Sequence, residues 1–153
     1  MRPSLVFILT AIFAILQITV MDYFKFFGAK PDLILTAALI GGLFLNLKFA
    51  LGLGVSAGIF KDVFSLNALG LNAVLLPIWI FLIKKLIRRV AIEDNLSRTL
   101  LVFSVSLLNN IISGLVLIYS GPSVPPLIFL RIVILSSIYT ASVFYLTVRF
   151  IAK

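Results

Sequence analysis

Two glycines and an acid at four-residue spacing, Gly54, Gly58 and Asp62, are the residues of this chain best placed to do chemistry. On a helix they share one face, with the carboxylate one turn beyond the second glycine. The surrounding run from Leu33 to Ile83 is almost unbroken hydrocarbon. A smooth glycine face lets another helix approach closely, and a carboxylate in such a run must be received by protein or water. Asp62 can then serve as a proton-relay group, a cation ligand or a contact that fixes helix register. The plainer role is an ion pair near an interface, with Lys61, Arg131 or a lipid headgroup. Gly52 adds a nearby small position, and Gly70 belongs to the same helix-packing or partner surface.

Four further polar side chains interrupt hydrocarbon. Asn109 and Asn110 fall at the middle of an apolar run, where an unpartnered amide costs on the order of 1–3 kcal/mol. They suit hydrogen bonds between helices, or a small-molecule site where polar groups converge in an apolar cavity. Gln17 suits the same structural use. Arg131 stands one turn inside the last run, from which it can snorkel outward or pair with Asp62 or Asp32. The basic stretch Lys84-Lys85-Leu86-Ile87-Arg88-Arg89 reads as a topology anchor on anionic headgroups, or as a dock for a partner. Trp79 and the aromatic-rich residues 23–27 read as membrane-interface side chains.

An enzyme is hard to build from this inventory. The chain has neither His nor Cys, which removes the commonest general base, thiol nucleophiles, disulfides and the usual zinc sets. Its five carboxylates include no two at metal-ligand spacing within one apolar run. No catalytic, metal or cofactor residue is assigned, and the expectation is a protein without enzymatic activity.

Hydrophobic residues make up 62% of the 153, charged residues 12%, and mean hydropathy is +1.24. That composition suits a bundle facing lipid with little chain outside it. The net charge of +8 then reflects topology rather than nucleic acid, since no soluble basic domain with stacking aromatics is present. After the first apolar run come Gln17-Ile18-Thr19-Val20-Met21-Asp22 instead of the small residues of a cleavage site, so the run is expected to stay as a helix.

A spanning helix needs roughly 20 apolar residues. Six runs qualify as candidates: 4–21, 32–47, 49–66, 69–83, 98–119 and 127–151. Together they predict an all-α integral membrane protein, a six-helix bundle forming one transmembrane domain. Only Lys48 separates the second and third runs, which places a tight reversal there; one long broken helix, giving five spans, is the competing layout. With six, one side collects Arg2, Lys48, Lys84, Lys85, Arg88, Arg89, Arg98, Arg149 and Lys153, against Lys25, Lys30 and Lys61 on the other. The positive-inside bias favours that arrangement, with both termini cytoplasmic. Pro31 and Asp32 suit a helix start, and residues 84–98 form the one substantial cytoplasmic loop.

At the glycine ladder the sequence resembles the bacterial rod shape-determining family MreD. The match is carried by Gly54-x3-Gly58-x3-Asp62, then Leu69-Gly70-Leu71-Asn72, with Gln17-Ile18-Thr19 closing the first helix and Pro31-Asp32-Leu33 opening the second. The specific part covers Gln17 to Asn72, and the C-terminal half agrees in hydropathy alone. The resemblance implies a non-enzymatic scaffold of the cell-elongation machinery in the bacterial cytoplasmic membrane, without a cofactor. It also implies binding to MreC, in a wider complex with MreB, RodA and its partner transpeptidase, and a part in cell shape and lateral peptidoglycan synthesis. The layout is similar, too, to the six-helix S-component fold of energy-coupling-factor vitamin transporters, whose substrate binding is the alternative function. Such components commonly carry Ala-x-x-x-Ala on the first helix, whereas Ala11 is followed four residues later by Ile15.

Overall fold

The computed structural model describes residues 3–20, 23, 25, 27–64, 70–90, 92–121 and 123–151. They form six helices and no strand element: α1 (Pro3–Thr19), α2 (Leu33–Phe44), α3 (Leu47–Phe64), α4 (Leu71–Val90), α5 (Asn95–Ser120) and α6 (Pro126–Ile151).

The organising element is α2. Its sequence, Leu-Ile-Leu-Thr-Ala-Ala-Leu-Ile-Gly-Gly-Leu-Phe, has no polar face, and a helix apolar all round belongs inside. Ten of its twelve residues are buried. It touches each of the five other helices. At 1.5 Å per residue it is about 18 Å long, shorter than the roughly 30 Å hydrocarbon layer of a bilayer. The most extensive pairings around it are α3 with α4 and α5 with α6. The α5–α6 hairpin joins the rest chiefly through α6 against α2, while α4 and α5 touch sparingly. Within the hairpin, Gly114 lies against the Phe129 ring, where a methyl group would collide with it.

Three boundaries differ from the sequence reading. The reversal between α2 and α3 falls at Leu45 and Asn46, not at Lys48. Leu45 turns extended while its N–H donates to the Gly41 carbonyl (2.9 Å), and Lys48 already belongs to α3. The basic stretch is no loop, because α4 continues through Lys84, Lys85, Arg88 and Arg89 to Val90. Lysine and arginine are good helix formers, and cations in a last turn also meet the negative end of the helix dipole. Arg98, likewise, lies in the first turn of α5.

Two helices, α5 and α6, are long and apolar enough to cross a membrane; α1 and α2 are shorter apolar helices. Around an apolar core, several polar side chains are buried and many large apolar ones are exposed. Asp32, Asp62, Thr36, Asn72, Ser106, Asn109, Ser137 and Thr140 are buried, whereas Leu5, Ile8, Ile15, Leu100, Leu115, Leu130 and Leu146 are each at least half exposed.

Candidate functional site

Asp62 lies near the C-terminal end of α3, and its carboxylate receives the start of α4. Oδ1 accepts the Asn72 N–H (3.0 Å) and the Asn72 side-chain amide (2.8 Å), and Oδ2 accepts the Ala73 N–H (2.9 Å). These backbone donors belong to the first turn of α4, which has no intrahelical partners for them, and the helix dipole there favours an anion. Asp62 is 3% exposed. An N-cap normally comes from the residue that opens the helix; here a neighbouring helix supplies it.

The glycines bring that carboxylate within reach. A Cβ on Gly58 would stand 2.5 Å from the Ala73 Cα and 2.6 Å from the Asn72 carbonyl carbon, so the backbones of α3 and α4 meet there. On Gly54 it would stand 2.6 Å from Ile80 Cδ1 and 3.2 Å from the Pro77 nitrogen. The Gly54–Gly58 face is therefore packed inside the chain. Among the described residues nothing lies close to Gly52 or Gly70, and neither takes part in this seam. Gly70 instead adopts φ +93°, a conformation that permits the turn into α4 and that glycine takes without strain.

A second polar cluster surrounds the start of α2. Asp32 is its N-cap, with Oδ1 accepting the Leu35 N–H at 3.0 Å, and Pro31 precedes the cap. The Gln17 Oε1 of α1 accepts the Leu33 N–H at 2.7 Å. From α6, Thr140 Oγ1 accepts the Asp32 N–H (3.0 Å), and the Ser136 hydroxyl donates to the Lys30 carbonyl (2.8 Å). Lys61 of α3 closes the cluster with an ion pair to Asp32 Oδ2. Arg131 is exposed on α6 and reaches neither acid.

The adjacent Asn109 and Asn110 of α5 face different helices. Asn109 Oδ1 accepts the Trp79 indole N–H of α4 (3.1 Å), and Asn110 Nδ2 donates to Ser137 Oγ of α6 (3.1 Å). Trp79 is thus buried and bonded inside the bundle rather than placed at an interface by its type. Four buried polar atoms have no partner among the described residues: Asn72 Oδ1, Ser106 Oγ, Asn109 Nδ2 and Ser113 Oγ.

Spacing does not single out Thr140 and Ser136, and Lys61, named beside Asp62, pairs with Asp32 instead. The signal that could have found the α6 pair is two hydroxyls four residues apart, hence on one helical face. On the outer surface, a groove of about 360 Å³ between α1 and α3 is lined by Phe7, Ala11, Ala14, Ile34, Ser56 and Ala57 among others. The chain matches no family model, no curated protein and no solved structure.

Proposed function

We propose that the chain is a six-span integral membrane scaffold of the MreD kind, which binds the membrane helix of an MreC-like partner and carries no catalytic centre of its own. The many exposed large apolar side chains and the two buried acids support the membrane reading, because lipid-facing surfaces are apolar and intramembrane acids turn toward protein. In this reading α2 is the short central helix wrapped by the other five, and both termini lie on the cytoplasmic side.

One observation favours scaffold over transport or proton chemistry. Both buried acids serve as helix caps: Asp62 holds α4 and Asp32 holds α2. Carboxylates used this way set the mutual register of α2, α3 and α4. The Gly54–Gly58 face is consumed internally, so the α1–α3 groove is the surface with small residues left for a partner. Ala11 and Ser56 are exposed on its rim, and small residues allow a helix to approach closely.

The test is co-purification in detergent with the MreC protein of the same genome. A stoichiometric complex through gel filtration is expected, with recovery lost on Ala11→Trp or Ser56→Phe. Two folded proteins that elute separately overturn the scaffold reading.

A further inference from the structure

We propose that the slot between α4 and α5 is a binding site for an anionic phospholipid, a reading that rests on the membrane assignment above. The slot, about 390 Å³, opens where the two helices part. Its α4 wall is Trp79, Leu82, Lys85, Leu86 and Arg89; its α5 wall is Leu101, Ser104, Val105 and Leu108. Each set recurs at helical spacing, so each is one continuous stripe, and the two stripes face each other.

The chemistry is graded along the slot. Trp79 backs one end, its indole held by Asn109. Aliphatic side chains fill the middle. Lys85 and Arg89, one turn apart and both exposed, stand at the other end. Neither cation has an ion-pair or hydrogen-bond partner among the described residues. Of the neighbouring cations, Lys84 Nζ donates to the Leu45 carbonyl (2.5 Å), Arg98 Nε donates to the Ile92 carbonyl (3.4 Å), and Arg88 does not line the slot. Glu93 and Asp94, on the connection to α5, do not line the slot.

An apolar trough ending in two unpaired cations at the end of a helix fits one occupant class. The phosphate of an anionic lipid sits between Lys85 and Arg89, and its acyl chain lies along Leu82, Leu86, Val105 and Leu108 toward Trp79. A zwitterionic lipid offers the same chain and phosphate but carries its own cation, which the basic pair repels. Basic pockets between membrane helices select anionic headgroups on this ground.

Trp79 is the single tryptophan of the chain, so its fluorescence reports the slot alone. The protein is reconstituted in phosphatidylcholine vesicles containing, at equal mole fraction, acyl-brominated phosphatidylglycerol or acyl-brominated phosphatidylcholine. Brominated phosphatidylglycerol is expected to associate about thirtyfold more strongly, from two cations near the surface. K85Q/R89Q should erase that preference while leaving quenching by brominated phosphatidylcholine unchanged. S104F, which fills the trough and keeps both charges, should weaken quenching by brominated phosphatidylglycerol. Equal quenching by both lipids in the parent protein overturns the site but leaves the membrane reading intact. A preference that survives K85Q/R89Q overturns the assignment to these cations. Quenching by neither lipid removes the membrane reading and the site with it.

Discussion

Lys61 and Asp62 are adjacent on α3 and secure the starts of two different helices. Lys61 pairs with the N-cap of α2, Asp32, while Asp62 caps α4 directly. Consecutive helical residues point about 100° apart, so one turn of α3 can address both neighbours. Each charge meets its opposite: Lys61 a carboxylate, and Asp62 the positive end of a helix dipole. The last turns of α3 thereby fix the relative heights of α2, α3 and α4.

Removing one member of the Lys61–Asp32 pair leaves a largely buried charge. Lys61→Met is expected to cost about 3 kcal/mol, as breaking one side of a buried pair does. Combined with Asp32→Asn, the loss should fall short of the sum of the single losses by at least about 1 kcal/mol. Unfolding titrations of the three variants in detergent micelles measure this; strict additivity contradicts the pair.

The glycines separate by environment, though their residue type is the same. Gly58→Ala forces a methyl into the α4 backbone and is expected to lower stability by about 1–3 kcal/mol. Gly52→Ala meets open space and should be neutral or stabilise by about 0.5–1 kcal/mol, through helix propensity. Equal losses at the two positions would refute the α3–α4 seam.

For Asp62 the carboxamide and the methyl should differ. Asp62→Ala strands the Asn72 and Ala73 donors at about 1–3 kcal/mol each, whereas Asp62→Asn keeps one acceptor oxygen and should lose roughly half as much. Cell-shape complementation should follow stability, with Asp62→Asn retaining function. Complete loss with a folded Asn variant would point to proton chemistry instead.

The ladder of Gly54, Gly58 and Asp62 is legible as one helical face because spacing alone defines it. Its destination is not, since a trans cap depends on where the next helix begins, and Gly70 sets that through a positive φ. Likewise Asp32 beside Pro31 announces a helix start, while its partners Lys61 and Thr140 come from distant helices. Lys48 misleads because a lone charge in hydrocarbon suggests a turn, and the actual break at Leu45 carries no glycine or proline to mark it. Residues 84–89 mislead for the opposite reason: charge density signals an interface and says nothing against helix.

Trp79 offers a spectroscopic check on the interior. Asn109→Leu leaves the indole N–H without its acceptor and is expected to shift the emission to the blue, with a loss of about 1–2 kcal/mol. An unaltered spectrum and unfolding midpoint would place Trp79 outside that contact.

The scaffold requires six crossings and the lipid slot requires α4 and α5 in the membrane, and a chain without cysteine permits a direct reading of the topology. Single cysteines at Tyr23, Lys48, Arg89, Ser123 and Arg149, all exposed, are labelled with an impermeant maleimide in right-side-out and everted membrane vesicles. Labelling of Lys48→Cys, Arg89→Cys and Arg149→Cys from the cytoplasmic face, and of Tyr23→Cys and Ser123→Cys from the opposite face, is the predicted result. Labelling of Lys48→Cys and Arg89→Cys from opposite faces, or of all five from both, contradicts it.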